Sequence, residues 1–543
     1  MKKITTTFML LLAFLVNNAQ NAPAWAKYVN YYNVQNYDVI NVSTGVDTVG
    51  NIYTAASIYD STAANNKEKI MLVKYDALGV QQWIKYYVNT SNTGNVCYVA
   101  KLLVDKAGNC YVCGYGSHNA TSSLDFMVAK YDNTGFQQWI SYYDAGQNIG
   151  DYLTCAKFDA AGNIVVAGNA NFQGATQYDI AVVKFGISGT QFWSYNYNNA
   201  VFNDNDNVYG LATDVNNNVY ITGNTYVTNG RNMLTIKLNS NGVNQWTNIV
   251  PHTNSSSDEY GYGVTADALG NCYATGALSD WTTIKYNAGG AVVWTNHNTV
   301  GGLNSFTPKH ILLDKFNNPI IAGDAGFSGS AGGSNLEVNK INGNNGATIW
   351  STSYDFGGTD TYASVQKDTA DNVFVAGFFD GPLNKDISAL VLSPSGVVVW
   401  QTSFTNTTLT IGTDRACQLV LDKNKNIIIA GSAERRGPGS SNAVDVVTLK
   451  YNTLAVGIKV NTLDEAQLSI FPNPTKGTLN LSTPNANLIG ANILIADLVG
   501  KTVLEQKLTE LNQAISLTGL AKGIYILKVS NTHSTISKKL IIE

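Results

Sequence analysis

Five acidic residues share one repeated position, eight residues ahead of an Asp that recurs along the chain: Asp151, Asp206, Glu259, Asp360 and Asp414. Carboxylates gathered around one axis would form a hard oxygen site of the kind that holds Ca2+. An Asp at a strand entry can also cap its own loop by accepting backbone N–H bonds. No copy carries the full calcium-loop spacing, so capping is the expected role and a metal-binding ring around a channel is the alternative. The run Asn203-Asp204-Asn205-Asp206-Asn207 is the densest oxygen cluster and reads equally well as a turn. A second repeated acid, at Asp125, Asp179, Asp280, Asp386 and Asp445, opens a strand further along the repeat and is read as structural.

Other chemistry is thinly represented. The five histidines (His118, His252, His297, His310 and His533) are scattered, with no HExxH and no metal-spaced pair. Neither a GxSxG elbow nor a phosphate loop is present. An acid pair for polysaccharide cleavage stays open, because sequence does not give carboxylate separations. Of the six cysteines, Cys110 and Cys113 form a CxxC inside a strand-like NCYVCG. Residues three apart on a strand point to opposite faces, so neither zinc nor a bridge is expected there, only small buried thiols.

The elements that would position such residues repeat. Asp followed four residues later by Asn occurs at 47/51, 105/109, 159/163, 214/218, 267/271, 314/318, 368/372 and 422/426, each pair ahead of a β-run. Asp and Asn side chains that bond the turn backbone make this a hairpin signature. Downstream come seven Gly-x-x-x-Trp pairs, whose tryptophans are Trp83, Trp139, Trp193, Trp246, Trp294, Trp350 and Trp400. The hairpins recur at about 54 residues, and each unit holds four short strands, the size of a propeller blade. The eighth hairpin lacks its Trp, whereas Trp25 stands unmatched near the start. The expected fold is therefore all-β: an eight-bladed β-propeller over residues 21–460, closed by the N-terminal strand, with the repeated tryptophans as packing residues.

Composition agrees with a turn-rich β protein. Charged residues are 13% of the chain, against about 25% in an average domain, while Gly (49) and Tyr (30) are abundant. A net charge of -4 argues against nucleic acid as a partner. Lys2 and Lys3 precede an apolar run at residues 8–16 that is too short for a membrane span, so residues 1–20 read as a signal peptide. No other stretch approaches the ~20 apolar residues of a transmembrane helix.

Two resemblances complete the reading. DKAGNCYVCG, DVNNNVYITG and DALGNCYATG resemble the SBBP β-propeller repeat, which implies fold and no chemistry; that family is named for seven blades, so seven is the alternative count. The last eighty residues resemble the type A C-terminal sorting domain of the Bacteroidetes type IX secretion system. The matching residues are Phe471, Pro472, Asn473, Pro474 and Gly477, then Gly500, then Leu520, Gly523 and Tyr525, then Lys538, Lys539 and Leu540. The family usually has Tyr where Phe471 stands. This resemblance implies a small β-sandwich over residues 461–543, engagement of the type IX machinery, and a protein released or held on the outer surface. A Gly-x-x-x-Trp motif also repeats in eight-bladed quinoproteins, but the spacing from Asp76 is one residue tighter and the adjacent Cys-Cys pair is absent. The expected protein is a secreted, monomeric, non-catalytic propeller that binds a glycan, polymer or protein through its variable loops. A propeller hydrolase or lyase acting on polysaccharide is the rival.

Overall fold

The computed structural model describes residues 22–29, 41–59, 68–87, 96–118, 124–146, 149–172, 177–202, 204–228, 230–251, 258–278, 280–298, 303–327, 333–380, 385–405, 413–435, 443–452, 468–483, 488–497, 502–530 and 535–543. The signal-peptide segment, Asn203, His252, His533 and Gly500 lie outside them. The chain divides into two compact units, Met1–Val456 and Gly457–Glu543. Both are built of strands, and no helix among the described residues is long and apolar enough to cross a membrane.

The first unit contains eight four-stranded antiparallel sheets, consistent with a β-propeller. Numbered in chain order, their first strands are Val42–Val46, Cys97–Val104, Tyr152–Phe158, Asn207–Thr213, Tyr260–Ala266, Leu303–Leu313, Asp360–Lys367 and Asp414–Leu421. Sheets 1 to 7 each use four consecutive strands. Sheet 8 takes its fourth strand from the other end of the chain: Trp25–Val29 pairs antiparallel with Ala443–Tyr451, Trp25 opposite Lys450 and Val29 opposite Val446.

Each Asp–Asn pair closes the hairpin between first and second strands. Asp47 Oδ1 accepts the N–H groups of Val49, Gly50 and Asn51 at 2.8–3.0 Å, and Oδ2 accepts from Asn51 Nδ2 at 2.7 Å. A carboxylate bonded this way fixes the turn and gains charge-assisted strength. Asp214 repeats the pattern and adds the buried Tyr220 hydroxyl at 2.9 Å. The bonds hold the carboxyls of Asp47, Asp159, Asp314 and Asp368 below the usual range although burial pulls the other way.

The apolar core lies between consecutive sheets. Tyr53, Ile70 and Leu72 of sheet 1 pack with Val99, Leu102 and Val112 of sheet 2, and Val165, Val182 and Ile180 of sheet 3 pack with Val208, Ile221 and Leu234 of sheet 4. Both faces of each middle strand are thus buried, which explains their continuous apolar runs. The expected separation of Cys110 and Cys113 holds: they enter different clusters on opposite faces, and all six cysteines are free thiols.

Six of the repeated tryptophans clamp the turn of the following sheet. Trp193 Nε1 donates to Ser240 O at 3.0 Å, and its ring covers Gly242, where a Cβ would sit 2.6 Å from the indole. The left-handed φ of +78° and this contact both require glycine. Trp83, Trp139, Trp246, Trp294 and Trp350 repeat the bond to the next turn at 3.0–3.2 Å. The lysine of the preceding strand often reaches the same carbonyl, as Lys74 does to Asn133 O at 2.9 Å. Sheets 8 and 1 meet through most of the same parts, although Trp25 Nε1 makes no hydrogen bond to the turn. Trp25 covers Gly79, Lys450 Nζ donates to Ala77 O at 3.0 Å, Thr54 and Thr448 hydroxyls lie 3.0 Å apart, and Ala430 and Val446 pack with Val42, Ala56 and Met71.

The second unit stacks a three-stranded sheet (Ser469–Phe471, Thr478–Ser482 and Asn512–Ser516) and a four-stranded sheet (Asn492–Ala496, Thr502–Lys507, Gly523–Ser530 and Thr535–Ile542) around one core of Leu479, Leu481, Ile493, Ile495, Leu527 and Leu540. Asn473 ties the Pro472–Pro474 turn to the final strand, donating to Lys539 O at 2.7 Å and accepting from Ile541 N–H at 2.9 Å. Tyr525 is buried with its hydroxyl on Ala521 O at 2.8 Å, whereas Phe471 and Lys539 face solvent.

Candidate functional site

The five repeated acids do not converge on one site. Asp151, Asp206, Glu259, Asp360 and Asp414 are each at most 1% exposed and occupy five different sheet junctions. Three of the carboxylates turn back onto the loop that precedes them. Asp151 Oδ2 accepts from Ala145 N–H at 2.8 Å, Asp206 Oδ2 from Asn199 N–H at 2.7 Å and Asp360 Oδ2 from Phe356 N–H at 3.0 Å. Their backbones stitch the junction: the N–H groups of Asp151, Asp206 and Glu259 donate to Leu124 O, Tyr178 O and Arg231 O of the preceding sheet at 2.5–2.8 Å. For Asp151, Asp206 and Asp360 the geometry is thus a cap on the preceding loop.

Burial nevertheless shifts these groups. It pushes the Asp360 carboxyl up to about 7, with Asp355, Asp324 and Asp380 adding to it, and the Asp151 carboxyl up to about 6. Asp179, of the second repeated set, rises to about 6 through burial and the neighbouring Asp206. The two sets therefore face each other across junctions. Among the described residues, one group of three possible metal ligands has its donor atoms within 4.8 Å of one another: Asp125, Asp144 and Asp151. Both buried members are already engaged, Asp125 by His118 Nδ1 and Asp151 by Ala145 and Asn171 N–H groups, and Asp144 is exposed. These bonds account for the cluster without an ion.

A second feature is aromatic. At the sheet ends opposite the hairpins, half-buried tyrosines run in contact from one sheet to the next. Tyr98–Tyr115, Tyr115–Tyr152 and Tyr152–Tyr178 have ring centroids 5.1, 5.3 and 5.6 Å apart. A second group joins Tyr209, Tyr260 and Tyr262 at 5.6–6.2 Å, the last two stacked. Between the groups runs an amide ladder, Asn169 Nδ2 to Asn207 Oδ1 at 2.9 Å and Asn207 Nδ2 to Asn224 Oδ1 at 3.1 Å. Beside it, Arg231 pairs with Asp258 at 3.4 Å and Asp204 at 3.7 Å, and the Tyr260 hydroxyl donates to Asp258 at 3.1 Å. Sequence reasoning missed this surface. Its signal was available, since Tyr98, Tyr152 and Tyr260 all stand seven residues before a hairpin Asp.

The C-terminal unit has the strand order, the Asn473-anchored turn and the buried Tyr525 described above. Residues 469–543 match the secretion system C-terminal sorting domain family. That sorting domain indicates export to the cell surface or extracellular space and engagement of the type IX secretion machinery. Over 104 residues, 19% of this chain, the sequence is 30% identical to beta-agarase A of Zobellia galactanivorans, and spans 17% of that protein's length. Solved structures with a related outline include PorZ of the Porphyromonas gingivalis type IX system (12% identity, 92% of this chain and 74% of that one, TM-score 0.28). An ulvan lyase of polysaccharide lyase family PL25 (12%, 78% and 96%, TM-score 0.41) and Chaetomium thermophilum Sqt1 (9%, 79% and 98%, TM-score 0.43) are others. At these values the likenesses bear neither on sheet number nor on activity.

Proposed function

We propose that the eight sheets are blades of one closed propeller of the SBBP repeat type, and that the exported protein binds a glycan at the tyrosine surface without cleaving it. The observation that carries this reading is the contiguous run of half-buried tyrosines flanked by amide and ion-paired side chains. Aromatic faces give flat apolar area at low entropic cost and suit the C–H faces of sugar rings, while amides and carboxylates meet hydroxyl groups. Ring closure is supported by the use of one Trp–Gly clamp at interior junctions and at the junction of sheets 8 and 1.

Glycan-array and calorimetric titration of the full chain test this. Tyr152→Ala and Tyr260→Ala should each weaken binding about tenfold, the equivalent of 1.4 kcal/mol. Tyr86→Ala, on the outer strand of sheet 1, should leave it unchanged. Absence of any glycan bound, or equal affinity in all three variants, overturns the reading.

A lyase or hydrolase is the second reading, favoured by the near-neutral Asp360 and Asp151 carboxyls. Such groups suit general acid–base work, but their enclosure by their own loops weighs against access. Release of unsaturated or reducing sugar ends by the wild type, lost in Asp360→Asn, would select this reading.

A further inference from the structure

Three buried side chains of sheet 4 stand in one row across its first three strands. Thr225, near the end of the second strand (Val219–Val227), pairs directly with Asn232 of the third (Gly230–Leu238). Asp206 lies one step beyond the Asn207–Asn224 pair and so stands opposite Thr225 on its other side. Directly opposed residues share a face, with Cβ atoms about 4.5–5.5 Å apart. Because strand side chains alternate, this is also the face of Val208, Ile221 and Leu234, which packs on sheet 3. Asn199, in the connection from sheet 3, ties the row to that sheet: its N–H donates to Asp206 Oδ2 at 2.7 Å and its Nδ2 to Tyr226 O at 2.9 Å.

Asp206, Thr225 and Asn232 are at most 3% exposed, yet Asp206 Oδ1, Thr225 Oγ1 and Asn232 Oδ1 have no hydrogen-bond partner among the described residues. Buried polar atoms are normally satisfied, and leaving one unpaired costs about 1–3 kcal/mol. Asp206 Oδ2 is spent on Asn199, and Asn232 Nδ2 donates at 2.7 Å to Val250 O, on the far side from Thr225, which turns its Oδ1 back toward the row. The carboxylate and amide oxygens can only accept, so what joins them is a cation or a donor. Charge favours a cation. Arg231, next to Asn232 in the chain, is taken by Asp258 and Asp204, and burial raises the Asp206 carboxyl, with Thr225 and the Asn199 N–H opposing it. The corresponding rows of sheets 7 and 8 are Asp360–Phe379–Asp386 and Asp414–Ala433–Asp445, where the central side chain carries no oxygen.

We propose that this row binds one Ca2+ through Asp206 Oδ1, Thr225 Oγ1 and Asn232 Oδ1. Carboxylate, hydroxyl and amide oxygens are hard ligands, and Ca2+ completes its 6–8 oxygens with backbone carbonyls and water. A single carboxylate places the dissociation constant on the order of 0.1–1 mM, the range of extracellular modules, in keeping with a chain that carries an export domain. The ion fixes the junction of sheets 3 and 4 directly before Asn207 of the amide ladder. The site needs only the strand pairing of sheet 4, and stands whether or not the ring closes or a glycan binds.

Isothermal titration of the full chain with calcium chloride, after EDTA treatment and desalting and at constant ionic strength, tests it. Asp206→Asn removes the charge but keeps an oxygen for the Asn199 N–H, and Thr225→Val removes the hydroxyl at equal volume. Circular dichroism checks that each is folded; if Asp206→Asn is not, Thr225→Val decides. Asp414→Asn, whose row is interrupted by Ala433, and Tyr152→Ala serve as controls. The expected result is saturable binding of one Ca2+ per chain, weakened at least tenfold in both row variants and unchanged in both controls. Calcium chloride should also raise the melting temperature of the wild type, and this rise should be absent in Thr225→Val. No saturable heat with the wild type would leave a buried water bridging the three oxygens and overturns the proposal. Equal affinity in wild type and the folded row variants, or an equal loss in Asp414→Asn, overturns it as well.

Discussion

Replacing a clamp glycine separates backbone strain from inter-sheet packing. Gly242 and Gly162 have nearly the same left-handed φ, +78° and +84°, but an added Cβ at Gly162 meets nothing within 4 Å, whereas at Gly242 it meets Trp193 at 2.6, 2.7 and 3.0 Å. Placing an L side chain in that conformation costs about 1–2 kcal/mol at either position. At Gly242 the indole must also withdraw, against its 3.0 Å bond to Ser240 O, and overpacking of this kind adds about 1–3 kcal/mol. Gly162→Ala should therefore cost about 1–2 kcal/mol and Gly242→Ala about 2–5 kcal/mol. Urea denaturation followed by tryptophan fluorescence measures both, as midpoint shifts at a common m-value. In Gly242→Ala/Trp193→Phe the penalty should fall short of the sum of the single changes, because the two side chains share one space. Equal costs for the two glycines, within about 0.5 kcal/mol, would refute the clamp as the link between sheets.

Three further outcomes follow from the same geometry. Trp193→Ala should destabilise by roughly 2–4 kcal/mol for a half-buried indole, and Trp25→Ala by about 1 kcal/mol less, since Trp25 covers Gly79 but its Nε1 makes no hydrogen bond among the described residues; no loss for Trp25→Ala in the same urea assay would mean that sheets 8 and 1 are not joined by ring packing as the interior sheets are. Asp360, Asp151 and Asp179 have native carboxyls raised to about 7, 6 and 6 above an unfolded value near 4, so the native state holds protons that the unfolded chain releases. Their contribution is full below about pH 4 and lost as pH rises through 6–7, whereas the lowered hairpin acids Asp47, Asp159, Asp314 and Asp368 contribute above that pH and lose it in acid. The melting temperature should fall from pH 5 to pH 8, and Asp360→Asn should flatten that slope; a rising melting temperature would contradict the assignment. With six free thiols, four of them buried, a reductant should leave the melting temperature unchanged, and a thiol reagent should label Cys97, Cys110, Cys113 and Cys272 only after unfolding.

Local, repeated chemistry was readable from the chain, and its partners across sheets were not. Asp47 and Asn51 bond each other within one turn, so their spacing already contains the contact. Gly79 and Trp83 repeat at a fixed spacing too, but they do not form the clamp together: Trp83 covers Gly135 of the next sheet, and Gly79 lies under Trp25. The motif reports two halves of different junctions, and its constancy reflects identical junctions rather than a contact within the motif. That is why the count of tryptophans pointed to the N-terminal strand, while the pairing itself became visible only with the sheets in place.

The acids show where counting residues along a strand fails. Strand side chains alternate strictly, so a one-residue slip exchanges every inward group for an outward one. Asp151 lies on the far side of the Leu153/Cys155 bulge from its hairpin at Asp159, and Asp206 lies beyond the Val208/Gly210 bulge in the same way. Counted back from the hairpin, these carboxylates belong on a different face from the one they occupy. The bulge turns them into the sheet junction, where they are buried, bonded to their own loops and raised in pKa. The same bulges also re-aim Tyr209, Tyr262 and Lys309 at the bulge itself and Lys101 and His310 directly after it. Deleting bulge residue Thr154 should therefore shift the face of every residue ahead of it in that strand, exposing Asp151 and lowering its carboxyl toward the ordinary range.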